Sequence, residues 1–398
     1  LQIEYITLPN TKYSILFVLK VNKEKTKKLF FFVFFDILKK NLKNQTFQIT
    51  FRSSLLSNSN HTYKSWRLNT RPVGEIKNTD LTLVEEDIPE INDNEILART
   101  IYFSLDPTNR IWMSDVDQYM EPVEIGDIMR AGGSIAIVEQ SNAKDVSVGD
   151  IIQGGMHGGW QDYFIAPGND VVKLPKETGL PLTAFISVLG FTGPTAYFGF
   201  LDIGKPKKGE TVVVSAAAGA VGSVVCQIAK IKECYVVAIA GSDEKCDWLK
   251  NDIGVDSVIN YKKENIFDAL KTSCPNGIDI YFDNVGGDTL DAALTLMNKF
   301  GRIPVCGLIS MYNDWSSTGP KMYRNILMKT LTVTGFLVSD FIDQFEECLQ
   351  KLGQWVAEGK IKYKVDVVEG IENAPVAVNK LFTGENQGKL VIQTSKEP

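Results

Sequence analysis

Between Thr211 and Tyr261 the chain reads as a strand, a glycine-rich turn, a helix and a second strand, and the second strand ends without an acid. The first strand is the apolar run Thr211 to Ala216, and the turn is Ala217-Ala218-Gly219-Ala220-Val221-Gly222. Val221, Val224, Val225 and Ile228 then mark one helical face. Such a turn lets the backbone approach a pyrophosphate, which sits at the positive N-terminus of the helix. The next strand, Tyr235 to Ala240, runs out into Gly241-Ser242-Asp243-Glu244-Lys245. An NAD site usually carries Asp or Glu at that tip, about 20 residues past the glycines, to bind the ribose 2′-hydroxyl. Here the tip is small and neutral and a lysine follows, so the chain reads as a binder of NADP(H). The turn alone is weak support, because Ala217 replaces the first glycine of the usual fingerprint and Gly-rich turns also close ordinary strand-helix corners. Taken alone, Lys245 is more often a solvated surface lysine than a ligand. Asp243 and Glu244 read as first-turn acids favoured by the helix dipole.

A chain of 398 residues exceeds the size at which one core stops growing, so two domains are expected. From about Tyr63 to Pro194 short strands alternate with Gly-rich turns, at Glu95 to Tyr102, Ser134 to Glu139, Asp150 to Gln153 and Trp160 to Ile165. That pattern predicts a compact, barrel-like β domain. After Pro194 the period changes. Strands at 211–216, 235–240, 256–260, 278–283, 301–306 and 331–338 alternate with helical stretches, which is the signature of a doubly wound parallel sheet. Phe341, Phe345, Cys348, Leu349, Leu352 and Val356 form a last helical face ended by Gly359, and the tail from Ile361 to Gln393 returns to strand-like segments that rejoin the first domain. The expected division is 63–190 with 360–398 for the β domain and 191–359 for the nucleotide-binding domain.

Net charge is −6, but residues 1–60 hold ten Lys or Arg against three acids, a surplus of +7 that leaves −13 on the rest. So acidic a globular part gives no basic surface for nucleic acid. All six cysteines lie in the second half without a CxxC pair, several in apolar runs, which points to buried thiols in a reducing, cytoplasmic setting. The first sixty residues, with the apolar run Leu29 to Phe35 interrupted by Asp36, are too short in apolar length to span a bilayer. They are expected to be a poorly ordered extension or an artefact of the gene model.

Several separate segments then point to one family. They are Tyr102-Phe103-Ser104-Leu105-Asp106-Pro107 with Arg110, Ala216 to Gly222, Gly241 to Lys245, Asn260-Tyr261-Lys262, Tyr281 to Gly287, Cys306 to Asn313, and Asn386 with Gly388-Lys389. In this order the chain from about 63 to 398 resembles the zinc-independent medium-chain dehydrogenase/reductases, in the branch of prostaglandin reductases and NADPH-dependent 2-alkenal reductases. The resemblance implies a GroES-like β domain, a Rossmann domain and a homodimer. It also implies cofactor contacts from Gly219, Ala220, Val221 and Gly222 at the pyrophosphate and from Lys245 and Tyr261 at the 2′-phosphate. Asn284, Cys306, Gly307, Ser310, Tyr312, Phe336, Val338 and Asn386 would line the remaining dinucleotide. Thr108-Asn109 departs from the Tyr-Met of many relatives and alters the substrate pocket.

No zinc is expected, since no cysteine precedes Cys226 and the only histidines are His61 and His157. A metal-free hydride site suits an activated double bond. Hydride from NADPH would add to the β-carbon of an enal or enone, and the resulting enolate needs hydrogen-bond donors. Tyr312 is the expected donor, implied by its motif; the alternative is that it packs or holds the ribose while solvent supplies the proton. Tyr102 is the second catalytic candidate, although a strand tyrosine is more often core. Asp106 and Arg110 are expected to form an ion pair that pins their turn. The competing functions are an NADPH quinone reductase of the same superfamily and a non-catalytic NADPH-binding protein.

Overall fold

The computed structural model describes residues 2–7, 15–20 and 62–398, apart from 176, 178, 315, 317 and 318. The chain forms two compact units, Leu1–Ser59 and Asn60–Pro398, each taken by itself. In the first, β1 (Gln2–Thr7) pairs antiparallel with β2 (Ile15–Lys20). The expectation for residues 1–60 otherwise falls outside the described residues.

The second unit holds two large sheets. In its β part, β3 (Thr62–Leu68) and β4 (Leu81–Asp87) form a hairpin. The sheet proper contains β5 (Glu95–Ser104), β6 (Ser134–Ser141), β7 (Ile151–Gln153), β8 (Tyr163–Pro167) and β9 (Val172–Lys173). The parallel sheet is built from β10 (Thr211–Val214), β11 (Tyr235–Ala240), β12 (Ser257–Asn260), β13 (Ile278–Phe282), β14 (Met297–Val305) and β15 (Thr332–Gly335). Two late strands, β16 (Val365–Glu369) and β17 (Lys389–Gln393), return to the β part, where β17 runs antiparallel to β5. Alternation places Leu390 and Ile392 in a core with Phe103, Met129 and Trp160, and Val391 in another with Tyr102 and Ile135.

The parallel sheet has the order β12-β11-β10-β13-β14-β15. After β12 the chain crosses back over β10 to start β13, so the carboxyl ends of β10 and β13 flank a topological switch point, where open α/β sheets bind ligands. Every residue of β10 is buried, as a strand covered on both faces requires. Helix Gly222–Ile231 buries each residue from Gly222 to Ala229. The last helical face is divided between a 3₁₀ turn, Val338–Gln344, and helix Phe345–Ala357, yet Phe341, Phe345, Cys348, Leu349, Leu352 and Val356 all meet one core. Gly359, with φ 69°, ends it.

The β10-to-helix turn is tight. Ala216 lies in the left-handed region with φ 47°, a conformation that costs a non-glycine residue roughly 1 kcal/mol or more. The Gly219 N–H donates back to the Ala216 carbonyl at 2.9 Å. A Cβ on Gly222 would stand 2.5 Å from that carbonyl oxygen and 2.9 Å from the Ala217 Cα. Both obstacles are backbone, so Gly222→Ala must push the helix off the strand. It is expected to lower stability by about 1–3 kcal/mol, read as a lower urea midpoint; an unchanged midpoint would show that the helix start has room to spare.

Candidate active site

The glycine turn puts the start of helix Gly222–Ile231 at the switch point, and the first N–H groups of a helix have no partner within it. Gly219, Ala220, Val221 and Gly222, expected from the sequence at a pyrophosphate, lie at that helix start, where the Gly219 N–H is already taken by the Ala216 carbonyl at 2.9 Å. The absence of a side chain at Gly222 lets the helix start pack on the Ala216–Ala217 backbone.

A basic corner lies at the tip of β11. Ser242 caps the next helix, its hydroxyl accepting the Lys245 N–H at 3.3 Å. Asp243 turns away to accept from the Asn260 amide at 2.8 Å and to pair with Lys263. Lys245 Nζ instead donates to the Gly384 carbonyl at 2.8 Å, and Lys262 Nζ donates to the Thr383 carbonyl at 2.9 Å. Burial lowers the Lys245 pKa, and the charge of Lys262 adds to that depression. Two ammonium groups on successive carbonyls with a half-exposed phenol beside them suit a phosphate: Tyr261 is 46% exposed, and its ring packs on Gly241. Lys245 and Tyr261 are the contacts expected from the sequence, and the fold sets Lys262 beside them.

At the carboxyl end of β13, Asp283 is fully buried. Its Oδ1 accepts from the Tyr281 hydroxyl at 2.9 Å and from the Val285 and Gly286 N–H groups at 3.0 and 2.9 Å. Its carbonyl accepts from the Cys306 and Gly307 N–H groups at 2.8 and 3.1 Å. Burial nevertheless raises the carboxyl pKa against those hydrogen bonds. Asn284 is fixed by Ser215, donating from Nδ2 to its carbonyl at 2.7 Å and from its backbone to the hydroxyl at 2.9 Å. Ser310 donates to the Val285 carbonyl at 2.5 Å. The Tyr312 hydroxyl accepts the Leu308 N–H at 2.9 Å, close over Gly307. Tyr312 is 8% exposed, and burial pushes its pKa up to about 12. Burial likewise pushes the Cys306 thiol up to about 12, so it is no thiolate at neutral pH.

A family model described as the N-terminal domain of oxidoreductase matches residues 64–174, and one described as zinc-binding dehydrogenase matches 220–354. A putative NADP-dependent oxidoreductase of Bacillus subtilis is 45% identical over 333 residues, 83% of this chain and 97% of the relative. Bovine prostaglandin reductase 1 is 42% identical over 335 residues, covering 83% and 98%. The NADP(+)-dependent 2-alkenal reductase of Nicotiana tabacum is 40% identical over 326 residues, covering 81% and 93%. Among solved structures, CurA from Vibrio vulnificus in complex with NADPH superposes with TM-score 0.79 at 42% identity, over 84% of this chain and 100% of that one. The chain belongs to the zinc-independent medium-chain dehydrogenase/reductases, in the branch of prostaglandin and 2-alkenal reductases.

For a member of this family the expected residues fall into distinct groups. The turn residues, Lys245 and Tyr261 lie along one edge of the parallel sheet, and Asn284, Cys306, Gly307, Ser310 and Tyr312 lie along the adjoining loops. Asn386 is buried, with Nδ2 donating to the Gly388 carbonyl at 2.9 Å. Phe336 and Val338 pack on the core beneath, Phe336 edge-on to Phe282 and against Gly199. Tyr102 sits apart in β5 among Ile101, Ile135 and Val391, and its hydroxyl donates to Glu397 at 2.8 Å. Tyr119, which sequence reasoning missed, lies beside Thr108 and Trp112, and burial raises its pKa.

The expected Asp106–Arg110 ion pair does not form. Asp106 pairs with Lys389 and accepts from the Ser104 hydroxyl, whereas Arg110 donates to the Pro72 and Gly74 carbonyls at 2.9 and 3.2 Å and to Ser114 at 2.5 Å. The short helix Thr108–Trp112 that follows Pro107 carries Arg110 towards the 72–74 loop, away from the carboxylate.

Asp283 yields a prediction about pH. Its folded pKa lies above 3.8, so its contribution to stability is fully present below that pH and is lost as pH rises through the folded value. Asp283→Asn abolishes that titration. Wild-type stability relative to Asp283→Asn should therefore fall as pH is raised above the ordinary carboxyl range, measured by urea unfolding; a constant difference would show that Asp283 keeps an ordinary pKa.

Proposed function

We propose that this protein reduces the carbon-carbon double bond of α,β-unsaturated aldehydes or ketones, with NADPH as cofactor. The observation that carries the reading is one sheet edge with a two-lysine corner at one end and a buried, backbone-oriented phenol at the other. The names of the relatives, 2-alkenal reductase and prostaglandin reductase, support the same substrate class.

Gly219 to Gly222 would hold the pyrophosphate, Lys245, Lys262 and Tyr261 the 2′-phosphate, and Asn284, Cys306, Gly307, Ser310 and Asn386 the remaining contacts. NADPH, when bound, supplies the hydride that adds to the β-carbon of the substrate. Tyr312 answers the charge that develops on the carbonyl oxygen. Its hydroxyl is aimed by the Leu308 N–H, and a phenol titrating near 12 keeps its proton throughout the neutral range. Tyr119, beside Thr108 in the β part, would shape the substrate side of the pocket. Tyr102, its hydroxyl engaged by Glu397, would act on the substrate only through the walls of that pocket. The β part, 63–190 with 360–398, would supply the substrate side, and 191–359 the cofactor side.

The molecule would work as a homodimer in the cytoplasm. β15 ends the parallel sheet, and nearby Leu327 and Met328 are 77% and 69% exposed, which suits a covering second copy. Six free cysteines suit a reducing compartment. Among the described residues no helix is long and apolar enough to cross a membrane.

Two substitutions test the reading. Lys245→Ala should weaken NADPH by roughly tenfold to a hundredfold, the worth of a charge-assisted hydrogen bond of about 1.5–3 kcal/mol, with little change for NADH. Fluorescence titration reads both, and equal losses would remove Lys245 from the phosphate. Tyr312→Phe should lower kcat on an enone by about 10²-fold or more while NADPH affinity holds. Because protonated Tyr312 is the useful form and its pKa is raised, any alkaline loss of rate due to this group begins only as pH approaches about 12. A kcat unaffected by Tyr312→Phe would leave the proton to solvent.

A further inference from the structure

The segment from Thr383 to Lys389 touches both halves of the site within seven residues. At its start the Thr383 and Gly384 carbonyls take Lys262 and Lys245. In the middle, the Gly388 N–H donates to the Ala218 carbonyl at 3.2 Å, and Gly388 bridges to Gly219, so the segment lies along the glycine turn itself. Gly388 has φ 70°, and a Cβ there would land on the Lys364 carbonyl oxygen, so this crossing admits only glycine. One residue later Lys389, 2% exposed, pairs with Asp106 and donates to the Leu105 carbonyl at 3.3 Å. The Leu105 N–H donates in turn to the Leu390 carbonyl at 3.1 Å.

Asp106 is the centre of the opposing turn. Its second carboxylate oxygen accepts the Ser104 hydroxyl, and its N–H is held by Asn109 Oδ1 at 2.7 Å. Asn109 Nδ2 then reaches the Arg130 carbonyl at 2.8 Å. Two successive residues, Gly388 and Lys389, thus join the glycine turn of the parallel sheet to the Ser104–Asp106 turn of the β part. A buried ammonium with a single carboxylate partner fixes position closely, because moving either group strands a charge away from water.

We propose that the Lys389–Asp106 pair is a positioning device that sets the distance between the two halves of the site, holding the substrate-side turn against the cofactor-side turn through this strap. The inference rests on NADPH occupying the glycine turn and the basic corner. Neither residue touches the reacting atoms. The pair acts by keeping the Ser104–Asp106 turn in register with whatever lies on Ala218–Gly219, so its loss affects geometry more than affinity.

The test uses the full chain with Asp106→Asn, which keeps the shape and an acceptor oxygen but removes the charge, and with Lys389→Met. Three quantities are read: the NADPH Kd by fluorescence titration, NADPH-induced protection from hydrogen exchange in peptides covering 103–109 and 383–390, and the isotope effect on enone reduction with NADPH deuterated at the transferred position. The expected result for Asp106→Asn is a Kd within about threefold of wild type, with protection kept in 383–390 and lost in 103–109. The kcat should fall about tenfold or more, with an isotope effect that rises because hydride transfer has become limiting. Protection and isotope effect matching wild type, with only thermal stability reduced, would overturn the proposal and leave the pair a purely structural one. Should Lys389→Met be too unstable to purify, Asp106→Asn decides alone. The cofactor reading stands or falls separately on Lys245→Ala, so its failure cannot be confused with failure of the strap.

Discussion

Asp283 is the group on which the geometry of the site depends. Its carboxylate gathers Ser215 from the end of β10, Tyr281 from β13 and the N–H groups of the loop leading to helix Gly287–Leu296, and its carbonyl takes the first two N–H groups beyond β14. A carboxylate removed from water must collect donors or give up its charge, and here it collects several on one oxygen while burial still raises its pKa. Three loops are thereby held at one point. Asn284, Cys306 and Gly307 follow directly from that point, and Tyr312 closes over them through its bond to Leu308.

Around this hub the chemistry is divided along the sheet edge. One end is cationic, where Lys245 and Lys262 crowd together while the adjacent acid Asp243 is engaged by Asn260 and Lys263. The other end is nearly dry, where Tyr312 keeps its proton far above neutral pH. Under the proposed function, charge would match an anionic cofactor end and burial a neutral reacting end. From Thr383 to Lys389 the chain runs from the cationic end past the glycine turn to Asp106 and so ties the two halves together.

Much of this could be read from the residues. Parallel strands buried on both faces appear as continuous apolar runs, as β10, β11 and β13 largely do; all six strands of that sheet overlap expected segments, although β14 starts at Met297, ahead of the expected 301, and edge strand β15 is largely exposed. The helical face from Phe341 to Val356 kept its period even though a 3₁₀ turn occupies its first part. Asp106 shows where such reading stops. Arg110, four residues away, looked the natural partner, but the partner is Lys389, 283 positions along the chain. Lys262 eludes such reading for the same reason, since its partner, the Thr383 carbonyl, lies 121 positions along the chain.

The sequence by itself determined the strands of the parallel sheet, their order and the basic character of the corner beyond β11, because apolar periodicity, glycine in a tight turn and the missing acid act over a few residues. Only the tertiary structure decided which charges pair, which phenol is buried and aimed, and how the two halves are joined. Those outcomes depend on desolvation and hydrogen-bond partners brought from distant segments, and no local spacing encodes them.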